Sequence, residues 1–223
     1  IKMYYDLITK PFINGIKEQN IDENKLVEGL NSSFNYAFST FPYIFHKNNS
    51  KEAIKNFNSG NCISLSMHIK NYLKKKYKLK SYLIPASVPD IFNRVGYLDI
   101  SHVALAVPKN KNEIYILDPA FYFIKPMKLI LNSPNENQFT MKNIYSDTLD
   151  LVNYKVKKNN NKLNLNKFQK IPKDTYFSEC NFINNYNDKW NYYLREIKNP
   201  DMAISSFFIN LLKYQPFITK TKL

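Results

Sequence analysis

Cys62, His102 and Asp118 are the residues of this chain whose types and spacing could do covalent chemistry. A thiolate attacks a carbonyl carbon; a thiol does so poorly. An imidazole beside the sulfur can take its proton and later return it. A carboxylate on the other ring nitrogen fixes the tautomer and holds the ring in place. Together they would make Cys62 the nucleophile, His102 the general base and acid, and Asp118 the orienting group of an acyl-transfer or amide-hydrolysing enzyme.

The local sequence gives each residue a position. Asn58-Ser59-Gly60-Asn61 is a turn cluster, and from Cys62 the sequence reads as a helix to about Tyr77. Cys62, Leu65, Ser66, Ile69 and Leu73 then share one face, and Lys74, Lys75 and Lys76 complement the dipole at the far end. Cys62 stands at the start of that helix, where backbone dipoles favour an ionised sulfur. Its own N–H is a candidate oxyanion donor, with the side chains of Asn56 and Asn58 as candidates for a second.

His102 opens an alternating run to Val107, which puts His102, Ala104 and Ala106 on one face and Val103, Leu105 and Val107 on the other. The alanine face is narrow, and the Cys62 helix, with its small Ser66, is expected to lie across it. Glu113 to Asp118 reads as the next strand. A three-residue hairpin loop centred on Asn110 would pair Val107 with Glu113, Leu105 with Tyr115 and His102 with Asp118. Slippage by one residue would send Asp118 to the opposite face.

These elements imply an α+β fold in which a helix that begins with the cysteine packs on an antiparallel sheet. The chain reads as a single domain: a mostly helical part over 1–57, a catalytic core over 58–126, and strands with C-terminal helices over 127–223. In the first part Asp22 is an N-cap ahead of Leu26, Leu30, Phe34 and Phe38, and a short helix runs from about Lys51 to Phe57. Lys80 to Ile84 is a further strand, and Pro85 to Ile100 a loop of the kind that borders a site. Beyond the core, Gln138 to Tyr145 and Leu151 to Lys157 read as strands, and Lys157 to Lys167 as an exposed Lys/Asn-rich loop. Helices are expected from about Asp188 to Ile197 and after the Asn199-Pro200-Asp201 start signal.

Composition bounds the function classes. The chain has 223 residues, 44% of them hydrophobic, which is enough to bury a core. Its formal net charge is +14, carried by lysine, since the arginines are Arg94 and Arg195. A Lys-rich surface attracts polyanions nonspecifically but reads little base sequence. With 4 glycines there is no phosphate-cradling loop, and 2 cysteines with 3 scattered histidines give no zinc spacing. The same cysteine count suits a cytoplasmic or other reducing compartment, and no apolar run reaches the roughly 20 residues of a transmembrane helix. His68 falls off the Cys62 face, and His46 stands in a polar loop. Cys180 has no histidine after it and reads as a structural or exposed thiol. Tyr192, Tyr193, Phe207 and Phe208 read as core.

The segments Gly60-Asn61-Cys62-Ile63-Ser64-Leu65-Ser66, Ser101-His102-Val103-Ala104-Leu105 and Ile114-Tyr115-Ile116-Leu117-Asp118-Pro119 resemble the transglutaminase-like superfamily of papain-like thiol enzymes. The resemblance covers residues 57 to 123 and implies the same triad, with no cofactor and an amide, first of all in a polypeptide, as substrate. The aromatic residue that often follows the superfamily histidine is replaced by Val103-Ala104, which leaves the substrate open. The chain is also similar to the arylamine N-acetyltransferases in triad order and intervals, and in His102-Val103-Ala104-Leu105. That resemblance implies acetyl-CoA as acyl donor. It departs in having Asn58-Ser59-Gly60 where that family has Arg-Gly-Gly, and Pro119-Ala120 after the aspartate. A third reading is a basic binding or structural module with an idle triad.

Overall fold

The computed structural model describes residues 9–44, 49–87, 102–121, 123–131, 135–142, 149–158, 163–164, 169–170, 175–182 and 186–200, the strands between 135 and 191 by their backbone. The architecture is α+β. Strand β1 (Thr9–Pro11) and helix α1 (Glu23–Ser33) come first, then β2 (Ala37–Phe38), α2 (Phe41–Ile44), α3 (Ser50–Phe57), β3 (Ser59–Gly60) and α4 (Cys62–Tyr77). Strands β4 (Tyr82–Ala86), β5 (His102–Pro108), β6 (Glu113–Leu117), β7 (Met127–Ile130), β8 (Asn135–Lys142) and β9 (Leu149–Lys158) follow. The chain continues through β10 (Leu163–Asn164), β11 (Gln169–Lys170), β12 (Thr175–Phe182), β13 (Tyr186–Tyr193) and β14 (Arg195–Ile197). Eight strands form one antiparallel sheet in the order β7-β6-β5-β4-β13-β12-β9-β8.

The helices start where side chains satisfy their first N–H groups. Asp22 accepts from Asn24 at α1, Asn49 and Glu52 form a reciprocal capping box at α3, and Asn61 caps α4. Helices α1 and α3 pack against α4, which lies on β5 and β4. Leu26, Leu30, Ile69 and Leu73 are fully buried in this layer, each stabilising the fold by roughly 1.5–3 kcal/mol.

Strands β4, β5 and β6 are buried on both faces, and the helix covers the face opposite to the one expected. Cys62, Ile63, Ile69 and Leu73 pack with Val103, Leu105 and Val107. The branched side chains offer more apolar area to a helix than the alanines do. Ala104 and Ala106 instead make room for bulk on the other side, where Phe12 stacks on Tyr82 at 4.2 Å and Tyr192, Phe123 and Met127 complete a second core.

The β5–β6 pairing also differs from the expected register. Leu105 pairs with Leu117, Val107 with Tyr115 and Pro108 with Ile114. The turn is centred on Lys111, one residue later than expected. Asn110 Oδ1 accepts from the N–H groups of Asn112 (2.8 Å) and Glu113 (2.9 Å), and Lys109 N–H bonds to Glu113 C=O at 2.9 Å. Moving the turn centre by one residue moves the pairing by two. Side chains therefore keep their faces, and Asp118 stays on the His102 side of the sheet.

The helix expected over 188–197 is strand. Trp190 and Tyr192 alternate with polar residues, as suits a pleated surface, and β13 pairs along its length with β12 while Tyr192 sits opposite Ala86 of β4. The segment expected as a Lys/Asn-rich loop contributes Lys158 to β9 and Leu163–Asn164 to the β10–β11 pair. His46, most of the Pro85 to Ile100 segment, the Cys180 side chain and the helix after Pro200 lie outside the described residues. Among the described residues no helix is long and apolar enough to cross a membrane.

Candidate active site

Cys62 is the first residue of α4, and its position is set by the turn before it. Asn61 Oδ1 accepts from the N–H groups of Ile63 at 3.1 Å and Ser64 at 3.2 Å. Asn61's own N–H bonds to the Tyr43 hydroxyl at 3.3 Å. The Cys62 N–H has no partner among the described residues. Gly60 pairs with Phe38 and fits only because it has no side chain: a Cβ there would stand 2.4 Å from Ser64 Cβ.

His102, the first residue of β5, is 3% exposed, and Asp118, just past β6, is 0% exposed. Nε2 of the ring lies 2.9 Å and 2.8 Å from the two Asp118 oxygens. Two facts place Asp118 there: the even parity shared with Ile114 and Ile116, and the end of the strand before Pro119. Residues Pro119–Phe121 form a 3-10 turn that packs against α4.

The thiol of Cys62 acts on the same ring. Burial pushes the His102 pKa down, but the charge and hydrogen bond of Asp118 push it up, and the Cys62 side chain adds a hydrogen bond and a charge in the same direction. The net result is a pKa of about 10. Since Asp118 occupies Nε2, the nitrogen left for the sulfur is Nδ1. The three residues singled out in the sequence are thus together, although α4 covers the face opposite to the alanines. Cys62 and His102 meet where α4 and β5 both begin.

Asn56 lies on α3, and Asn58 caps its C-terminal end. Both side chains are exposed. Asn58 ends α3 in the left-handed conformation, φ 48°, with its N–H on Ile54 C=O. The donor that the geometry leaves near the sulfur is the Cys62 N–H. His68 is structural: its Nε2 is 3.2 Å from Ser32 Oγ, its ring meets Tyr36 edge-on at 4.7 Å, and burial holds its pKa below the ordinary value.

Tyr192 is a member of the site that the sequence did not reveal. Its hydroxyl donates to Asp118 Oδ2 at 2.9 Å from a fully buried position. It pairs with Ala86, which pairs with His102, so the three residues form one row across β13, β4 and β5. A helical reading of 188–197 hides that row.

The fold is that of the arylamine N-acetyltransferases. A Bacillus cereus arylamine N-acetyltransferase, described as having a unique Cys-His-Glu catalytic triad, matches 93% of this chain and 72% of its own, with 16% identity and a TM-score of 0.55. A Bacillus anthracis arylamine N-acetyltransferase matches 93% of this chain and 73% of its own, at 16% identity and TM-score 0.56. One from Nocardia farcinica matches 92% of this chain and 68% of its own, at 12% identity and TM-score 0.59. At these identities what is shared is the fold. No protein-family model matches the sequence, and no curated protein matches it.

Proposed function

We propose that this protein is a cysteine-dependent acyltransferase that moves an acetyl group from acetyl-CoA to an amine through an acyl-Cys62 intermediate. The observation that carries the proposal is the meeting of Cys62, at a helix start, with a buried imidazole that Asp118 holds through Nε2. The fold of the arylamine N-acetyltransferases favours a thioester donor and an amine acceptor over the polypeptide amide that the transglutaminase-like resemblance implies.

The residues suit each step. The thiol proton passes to His102, and the sulfur attacks the thioester carbonyl. The Cys62 N–H, at the helix start beside the sulfur, would donate to the oxyanion that develops on that carbon. Collapse of the intermediate breaks the bond to the CoA sulfur, which leaves with the proton from His102. The amine then attacks acyl-Cys62, His102 takes the amine proton, and the thiol is restored. Asp118 stabilises the imidazolium in both halves and keeps the ring from turning.

Intact mass spectrometry after incubation with acetyl-CoA tests this reading. A single acetyl adduct is expected, mapping to Cys62 and absent from Cys62→Ala and His102→Ala. An unmodified chain at millimolar acetyl-CoA, together with Cys62 adducts from peptide amides, would return the polypeptide reading to first place.

A further inference from the structure

Tyr43 reaches the nucleophile's turn from a different part of the chain. It lies in α2, is 7% exposed, and its hydroxyl meets residues that flank Cys62 in sequence. Its hydroxyl accepts the Asn61 N–H at 3.3 Å and contacts Ser64 Oγ. Ser64 Oγ donates to Ser50 C=O at 2.9 Å. A serine hydroxyl has one proton, so the Tyr43–Ser64 bond must run from the phenol to the serine. The result is a directed chain: Asn61 N–H to Tyr43, Tyr43 O–H to Ser64, Ser64 O–H to Ser50 at the start of α3.

The consequence bears on Cys62. With Asn61 Oδ1 holding the N–H groups of Ile63 and Ser64, the first-turn N–H left over is that of Cys62. The turn is packed tightly against these partners: a Cβ added at Gly60 would meet Ser64 Cβ at 2.4 Å and the Tyr43 hydroxyl at 3.3 Å. We propose that Tyr43 is a positioning residue for acylation: it fixes residues 61 and 64 so that the Cys62 N–H and sulfur present to one carbonyl. The inference rests on the reading of Cys62 as an acyl-accepting nucleophile.

Two reagents separate a positioning role from a structural one. p-Nitrophenyl acetate acylates a thiolate through a tetrahedral oxyanion: the sulfur–carbon bond forms, the ester carbon–oxygen bond breaks, p-nitrophenolate leaves with the electron pair, and the thiol proton has gone to His102. Iodoacetamide alkylates the same sulfur by displacement of iodide, with no oxyanion. In Tyr43→Phe, acylation is expected to slow about 10-fold or more, because misplacement by a fraction of an ångström is enough to lose alignment, while alkylation slows less. Ser64→Ala should split the two rates in the same direction and serves if Tyr43→Phe does not fold. Gln19→Ala, which removes bonds of 2.9 Å to Lys80 C=O and 2.7 Å to Pro108 C=O, beyond the far end of α4 from Cys62 and at the far end of β5 from His102, should leave both rates alone. A folded Tyr43→Phe acylated at the wild-type rate overturns the proposal, as does a parallel fall of both rates. Wild-type protein that alkylates at Cys62 only as slowly as an unfolded thiol overturns the nucleophile reading, and this inference with it.

Discussion

Tyr192 donates a hydrogen bond of 2.9 Å to Asp118 Oδ2, the same oxygen that His102 Nε2 approaches at 2.8 Å. A fully buried carboxylate thus has its charge met by an imidazole and a phenol from two different strands. Tyr192→Phe keeps the ring and removes the proton. The loss expected is about 1–3 kcal/mol of stability, since a buried acceptor loses a charge-assisted bond. The shift of the urea midpoint measures it, with far-UV circular dichroism unchanged.

The imidazole of His102 makes stability depend on pH in a definite direction. Burial opposes its charge, but Asp118 and Cys62 raise its pKa from 6.5 to about 10. A group whose pKa is higher in the folded state binds its proton more tightly there. Its contribution is therefore fully present below pH 6.5 and is lost as pH rises towards 10. Wild type should be more stable than His102→Gln at pH 6, and the difference should shrink steadily up to pH 10. Urea titrations of both proteins across that range check it; a difference that grows with pH contradicts the assignment.

Much of this site was legible because the residues that hold it interact locally. Asn61 beside Cys62 and the alternation from His102 to Val107 depend on near neighbours, and the strand run ending at Asp118 survived a misplaced turn. A hairpin centred on Lys111 rather than Asn110 shifts pairs by two, which leaves every side chain on its face. The choice of sheet face for α4 was not legible. It depends on how Phe12, Tyr82 and Phe123, from distant segments, fill the space over Ala104 and Ala106. Tyr192 was hidden for the same reason: its strand is defined by partners far away in sequence, and Asp188 to Ile197 taken alone fits a helix.

Asp118→Asn should disable acylation while keeping the fold. The amide keeps the volume but not the charge that holds the imidazolium at Nε2. Acylation of Cys62 is expected to fall by about 10³- to 10⁴-fold, the scale on which loss of the orienting carboxylate disables a triad. Stopped-flow release of nitrophenolate measures it. A variant within a few-fold of wild type would mean that His102 is oriented by something else.

Gly60→Ala tests how tightly the turn is closed. The added methyl would stand 2.4 Å from Ser64 Cβ, where the neighbour is the start of a helix rather than the end of a flexible side chain. Overpacking of this kind costs about 1–3 kcal/mol. The strain falls on the Asn61 cap, so Cys62 should lose reactivity together with stability. Thermal melting and iodoacetamide labelling of the same sample read both.

Two serines on α4, two positions apart, should respond in opposite directions to loss of the hydroxyl. Ser64 Oγ is bonded to Ser50 C=O and Tyr43, so Ser64→Ala strands partners in α3 and α2 and should cost about 1–3 kcal/mol. Ser66 is 0% exposed, and its Oγ has no hydrogen-bond partner among the described residues. A buried hydroxyl without a partner is destabilising, so Ser66→Ala should be neutral or stabilising by up to about 1 kcal/mol. Ser66 follows Cys62 by one helical turn, yet it lies outside the chain of bonds that fixes residues 61 and 64. Its alanine variant should therefore keep the wild-type acylation rate. A loss of stability in Ser66→Ala as large as in Ser64→Ala would show that the Ser66 hydroxyl is bonded in solution.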